Sequence, residues 1–431
     1  MLKRLDLRGV PVADIRRALP KPLAAGDEPI LAVREILDAV HAGGDEAVRA
    51  FTEKFDQVRL AQLRVPAEEL TAALLATDAR TREALEVAAA SIQSFQEATL
   101  TPPAVHEANG VTIRSWRQPV ARAGCYVPGG RARYPSTVLM TAIPAKVAGV
   151  AEVVLCVPPD RTGHVPTLTL AAAAVAGVQE VYAIGGAQAI GALAFGTETI
   201  RPVDVIVGPG NIYVAIAKRE VASRGLVAIP SAFAGPSEVV VVADETVAPD
   251  FVAIDVIVQA EHGPDGLAWL LCWSDSVADS VGAAIERLVE TAPRQAEILA
   301  TLDLNGYVVV CDGPGQAMEV ANVIAPEHLE LLCDAAIAEL GRVRNAGAVF
   351  LGPHSPASIG DYLAGPSHTL PTYGSARFAS VLSVDDFTKH MHTIEVSPAG
   401  FERLAPHVVA LAQAEGFDAH ASSILLRQAA R

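Results

Sequence analysis

Seven short apolar runs recur between alanine-rich segments: "EVVLCVP", "EVYAIGG", "VDVIVGPG", "SEVVVVAD", "LAWLLCW", "GYVVVCD" and "AVFLG". Each is continuous rather than alternating. A strand of that kind needs apolar cover on both faces, which parallel sheets receive from the helices that connect their strands. The pattern predicts an α/β fold with two Rossmann-like parallel-sheet domains. "SEVVVVAD" follows the Pro/Gly-rich "AIPSAFAGP" and reads as a second start. The predicted divisions are a helical N-terminal region over 1–105, a first α/β domain over 106–236, a second over 237–378 and a helical tail over 379–431.

The chain can fill such cores. It has 431 residues, of which 51% are hydrophobic and 19% charged, a balance that favours packed domains over disorder. Its formal charge of −16 comes without any Lys/Arg run or basic-aromatic patch, so the electrostatic footprint for binding nucleic acid is missing. No uncharged apolar run reaches membrane-spanning length, and the N-terminus lacks the apolar core of a secretory signal. The expectation is a cytoplasmic protein with neither a nucleic-acid nor a membrane partner. Cysteines 125, 156, 272, 311 and 333 each adjoin apolar runs and never form C-x-x-C. They read as buried, reduced thiols, so a metal would sit among nitrogen and oxygen ligands.

Candidate chemistry gathers in four places. In "DVIVQAEHGPDG" an apolar run ends in Gln259 and His262, three apart on one face of a helix end, with Glu261 pointing elsewhere. Taken alone, a Gln-x-x-His is better explained by a solvated helix end. In "NVIAPEHLELL", Glu327 and His328 follow Ala-Pro and open an apolar run read as helical. A helix N-terminus would disfavour imidazolium and leave His328 neutral, available as a base. The irregular segment "LGPHSPASIGDYLAGPSHTLPTYGSARF" adds Asp361 and His368, and "AEGFDAHAS" adds Glu415 and His420. Asp361 can equally be a turn residue, and Glu415 with His420 an exposed final turn beside Gly416. His390 and His392 have no acidic companion and read as structural or exposed. Gln259, His262, Asp361 and His420 would together offer an amide oxygen, two imidazoles and a carboxylate, a set suited to Zn²⁺.

Three glycine-rich junctions follow strands: "CYVPGGRARYPS", "AIGGAQAIGALAFG" and "IVGPGNIYVA". None spells G-x-G-x-x-G, so tight packing of a βα turn explains each as well as a phosphate cradle does.

The ordered set "YVPGGRARYPSTVLM", "IGGAQAIGALAFGTETI", "VGPGNIYVA", "AGPSEVVVVAD", "QAEHGPDG", "APEHLELL", "GDYLAGPSHTLPT" and "AEGFDAH" resembles the histidinol dehydrogenase family along essentially the whole chain. The resemblance implies a zinc enzyme that oxidises L-histidinol to L-histidine through L-histidinal with two NAD⁺, the last step of histidine biosynthesis. It implies that Gln259, His262, Asp361 and His420 hold the zinc, and that Ser237, His328, His368 and Glu415 contact substrate. Tyr126, Gln188 and Asn211 would lie along NAD⁺ in the first α/β domain. His328 would be the base for alcohol oxidation, and Glu327 would activate the water for aldehyde oxidation. The family also implies a homodimer whose C-terminal tail, with Glu415 and His420, completes the neighbour's site. Thr141 stands where the family pattern leads us to expect Asn, and "GLVAIPSAFAGPSE" departs from the usual approach to Ser237. The alternative reading is a paralogous zinc- and NAD-dependent dehydrogenase of another polar alcohol, such as a sulfonated diol.

Overall fold

The apolar runs become parallel strands. The computed structural model describes residues 2–20, 28–129, 133–230, 237–261, 263 and 266–430. Along the chain these residues form β1 (Lys3–Asp6), β2 (Ala104–Ala108), β3 (Val111–Pro119), β4 (Arg122–Tyr126), β5 (Glu152–Cys156), β6 (Glu180–Tyr182) and β7 (Val205–Val207). There follow β8 (Glu238–Val242), β9 (Leu267–Cys272), β10 (Gly306–Val310), β11 (His328–Leu331), β12 (Ala348–Leu351) and β13 (Thr388–Val396). The chain divides into a larger unit, Met1–Ala98 with Val120–Phe387, and a smaller one, Thr99–Pro119 with Thr388–Arg431.

The larger unit holds two all-parallel sheets, as the continuous apolar runs predict. The four-stranded sheet has the order β6-β5-β4-β7. The chain moves outward from β4 to β6 and then returns to the far side of β4 for β7. Such a reversal opens a crevice at the carboxyl ends of the two strands. Tyr126 ends β4, and Gly208 directly follows β7. The N-terminal helices cover this sheet's own helices: Glu28–Asp56 packs on Gly186–Phe195 and Ile212–Ser223, Ala67–Ala76 on Thr167–Val175, and Ala79–Ala98 on Pro135–Val147. Alanine-rich faces permit the close approach. At Gly191 an added Cβ would lie 3.2 Å from the Leu37 side chain.

The six-stranded sheet has the order β1-β10-β9-β8-β11-β12. Its centre, β8, is buried along its whole length, pairing Val239 with His328 on one side and with Ala268 on the other. Glu238 and His328 therefore begin two adjacent central strands, both at the amino edge of the sheet.

The structure departs from the sequence reading in four places. The N-terminal region is not purely helical, because β1 adds an edge strand to the second sheet beside β10. The parallel sheet of the first α/β region starts at Arg122 rather than near 106, since β2 and β3 pair antiparallel with β13 in the smaller unit. The tail opens with β13 before its helices Pro398–Ala414 and Asp418–Ala429. The run after Glu327 is a strand, not a helix, so His328 lacks the helix-dipole setting expected of it.

In the smaller unit, Asn109 and Gly110 have φ of 53° and 76° at the tip between β2 and β3. Two successive positive φ values are what a two-residue hairpin turn requires, and Asn-Gly is the pair that adopts them most readily. No helix among the described residues is long and apolar enough to cross a membrane.

Candidate active site

Glu327 and His328 enter β11 from the turn after the helix Pro314–Ile324, which closes with Ala325 in the left-handed region. The backbone of one residue fixes both side chains. The Glu238 N–H donates to Glu327 Oε2 at 2.8 Å, and the Glu238 carbonyl faces His328 Nδ1 at 3.1 Å. Glu327 and His328 are 5% and 3% exposed, so each is held within β8–β11 packing. With Nδ1–H donating to the Glu238 carbonyl, the working nitrogen is Nε2. It lies 3.4 Å from Asp361 Oδ1, an ion-pair distance without the alignment of a good hydrogen bond.

Electrostatics here run opposite to the sequence expectation. Burial opposes a charged imidazole, but the carboxylates of Glu327 and Asp361, at 3.5 and 3.4 Å, outweigh it and raise the pKa of His328 well above the usual histidine range. Two carboxylates stand where a helix dipole was expected, and they favour the charged ring rather than disfavouring it. Glu238 is itself buried. Desolvation and the neighbouring Glu327 charge push its carboxyl up to about 8, while Tyr373 N–H donates to its Oε1 at 2.6 Å.

The irregular segment does reach this site. The short helix Ala357–Tyr362 carries Asp361, and His368 Nδ1 lies 3.1 Å from the Asp361 carbonyl. His368 Nε2 lies 2.9 Å from Thr137 Oγ1. Ser367 and His368 also bond to the Met140 carbonyl and sulfur, at 3.1 and 3.2 Å. Thr137 belongs to the helix that follows β4, so these bonds join the carboxyl edge of the first sheet to the amino edge of the second. Burial lowers the pKa of His368 and favours its neutral form.

At the first sheet's edge, Tyr126 Oη accepts from Gly186 N–H at 3.1 Å. Gly186 has φ +64° and opens the helix carrying Gln188. Both amide atoms of Gln188 are buried without a hydrogen-bond partner among the described residues. An amide in that state fits a polar ligand. Across the crevice, Lys218 donates to the Gly208 carbonyl. Asn211 is exposed and caps its helix, its Oδ1 accepting from Val214 N–H at 3.1 Å.

Gln259 is the penultimate residue of the helix Pro249–Ala260 and is 2% exposed; His262 lies outside the described residues. Ser237 precedes β8 and is half-buried. Glu415 caps the Pro398–Ala414 helix and His420 lies in the next, both exposed in the smaller unit, with Gly416 at φ +76° between the helices. Among the described residues no three His, Cys, Asp or Glu side chains form a metal-ligand cluster. Of the predicted ligand set, the described residues of the larger unit offer a buried amide at Gln259 and a carboxylate at Asp361, both oxygen donors of the kind a divalent cation accepts. All five cysteines are buried and free and offer no thiolate ligand nearby. The residues that sequence reasoning passed over are Glu238, Thr137, Asp255 and Glu330. An acid inside an otherwise apolar strand, as in "SEVVVV" and "HLELL", was the available signal for two of them.

A sequence model described as histidinol dehydrogenase matches residues 23–428. The chain is 48% identical over 369 residues to histidinol dehydrogenase of Moorella thermoacetica, covering 85% of this chain and 86% of that one. It is 48% identical over 376 residues to the enzyme of Parasynechococcus marenigrum, covering 87% and 85%. The crystal structure of histidinol dehydrogenase from Elizabethkingia anophelis superposes with a TM-score of 0.94 at 34% identity, over 100% of this chain and 98% of that one. With that agreement spanning both parallel sheets and the Glu-His couple between them, the chain belongs to the histidinol dehydrogenase family.

Proposed function

We propose that the protein oxidises L-histidinol to L-histidine through L-histidinal, spending two NAD⁺ in succession. The observation that carries this reading is the backbone of Glu238, whose N–H holds Glu327 and whose carbonyl holds His328, so that an acid and an imidazole stand side by side. His328 Nε2 takes the hydroxyl proton as hydride leaves the carbinol carbon. Glu327 then takes a proton from the water that adds to the aldehyde, and the reactive intermediate need not leave between the two steps. Base action by His328 requires the neutral ring, and Glu327 and Asp361 both help to hold its proton. Engaging Asp361 as a metal ligand removes one of those two holds.

Gln259, His262 and Asp361, with His420, are the residues that would hold Zn²⁺. When bound, the metal supplies a positive centre that orients the substrate's nitrogens and polarises its alcohol. NAD⁺, when bound, accepts hydride at each step. Tyr126, Gln188 and Asn211 line its proposed path, Gln188 with an unspent amide. Ser237, His368 and Glu415 are the further substrate contacts. Glu415 and His420 are exposed and so available to a second copy of the chain, in a cytoplasmic homodimer with shared sites.

The test is NADH formation on a panel of polar alcohols, L-histidinol and sulfonated diols included, before and after chelation. Two NADH per histidine formed, lost with the metal and restored by Zn²⁺, is the expected result. Turnover of a sulfonated diol in place of histidinol, or rates indifferent to chelation, would overturn the assignment.

A further inference from the structure

Two acids, one fully buried and one half-buried, lie beneath this site without a part in the reaction. Glu330 is the third residue of β11, two after His328 and on the same face of the strand, and is fully buried. Its Oε1 accepts at 2.7 Å from the N–H of Ala357, the first residue of the helix that carries Asp361. Its Oε2 receives no N–H or O–H donor among the described residues, while the side chain is hydrogen-bonded to the carboxyl of Asp255. Asp255 is half-buried. It sits one helical turn before Gln259 on the Pro249–Ala260 helix, and thus on the same face. Two ionised carboxylates offer each other only acceptors, so this contact needs one proton between them.

We propose that Asp255 and Glu330 are positioning residues, a carboxyl pair sharing one proton that ties the helix of Gln259, the strand of His328 and the helix of Asp361 into one register. The spacing between the base and two of the proposed metal ligands then depends on this pair. The inference rests on the functional reading above for the assignment of Gln259 and Asp361 to the cation.

The surroundings leave the pair to itself. β8 and β12 set Val241 and Phe350 beside Glu330 in register, and the Ala357–Tyr362 helix contributes a peptide N–H. Among the charged groups that act on Glu330 most strongly are Asp255, which raises its pKa, and His328, which lowers it. Burial, then the Asp255 charge, push Glu330 up to about 8, which keeps the shared proton in place at neutral pH. A carboxyl raised in the folded state binds its proton on folding. Its contribution to stability therefore declines as pH rises from the ordinary carboxylate range to about 8 and is constant above that. Glu330→Gln keeps the geometry without the proton: the amide oxygen accepts from Ala357 N–H and the amide NH₂ donates to Asp255.

The experiment uses the full-length, zinc-loaded protein and reads zinc affinity by chelator competition and thermal unfolding across pH, with histidinol oxidation alongside. E330L should loosen zinc about tenfold or more, the scale seen when support behind metal ligands is lost. E330Q should keep zinc affinity within about threefold of wild type and abolish the wild type's loss of stability between the carboxylate range and pH 8. If E330L folds poorly, D255L removes the same contact from the other partner and D255N repeats the E330Q test, with the same two expectations for zinc. Wild-type zinc affinity in E330L, equal damage in E330Q and E330L, or matching pH profiles for E330Q and wild type would each overturn the pairing. A wild type that oxidises no histidinol would overturn the functional reading instead, and the difference in unfolding between wild type and E330Q would still decide whether the acids share a proton.

Discussion

Replacing Lys218 by Met should free the fold from a charge that it buries at a cost. Lys218 is 2% exposed, and its ammonium donates to the Gly208 carbonyl at the end of β7. Burial lowers its pKa from 10.5 to about 7, with Cys125 opposing slightly. Because the folded value lies below the unfolded one, both states hold the proton below about pH 7, and the full penalty applies there. Between about 7 and 10.5 the unfolded chain binds more protons, so stability rises with pH; above 10.5 it levels off. At 1.36 kcal/mol per unit the whole span is worth roughly 5 kcal/mol. Against this, Met leaves the Gly208 carbonyl unpaired, at about 1–3 kcal/mol. The variant should therefore be more stable than wild type at and below neutral pH, by a few kcal/mol, and less stable at the alkaline end. Urea unfolding of both proteins at a series of pH values reads the difference directly. A difference that does not change between pH 7 and 10.5 would refute the reasoning. The same substitution loosens the turn bordering the crevice proposed for the cofactor, so the KM for NAD⁺ should rise even where stability improves.

Glu327→Gln should reduce oxidation of histidinal far more than oxidation of histidinol, measured separately by supplying each substrate; equal losses would remove the division of labour between Glu327 and His328. Gly186→Ala forces a Cβ to 2.6 Å from Gln188 Oε1 at a φ of +64°, a strain of about 1–3 kcal/mol, and should raise the KM for NAD⁺ while leaving zinc affinity unchanged. Thr137→Val takes away the hydroxyl facing His368 Nε2. A lost hydrogen bond of about 0.5–1.5 kcal/mol translates into a roughly two- to tenfold fall in kcat/KM for histidinol, and an unchanged value would show that His368 is positioned without Thr137.

Much of the scaffold was legible because its signal is local. A run such as "EVVVV" is apolar on both faces wherever it sits, and only a covered parallel strand can use it, so both sheets could be anticipated. The Asn-Gly at 109–110 carried an equally local signal for the β2–β3 hairpin, but the segment was counted with the α/β domain beside it. Five polar residues in "KHMHTIEV" likewise masked β13, whose stability comes from its pairing with β3 rather than from buried side chains of its own. "HLELL" shows the limit of periodicity: four residues satisfy a helix and a strand equally, and the ladders to β8 and β12 choose the strand.

The site divides in the same way. The residue types needed for the chemistry, an adjacent acid and imidazole with an amide and a carboxylate elsewhere, are fixed by the order of amino acids. Their charge states are not. His328 is protonated or neutral according to which carboxylates stand within a few ångströms, and those belong to a neighbouring residue and to a helix more than thirty residues on. Likewise the proton between Asp255 and Glu330 exists because folding removes water from two acids separated by most of a domain. Local sequence sets which groups are present and which elements they ride on; solvent exclusion and distance, which only the assembled fold defines, set what those groups do.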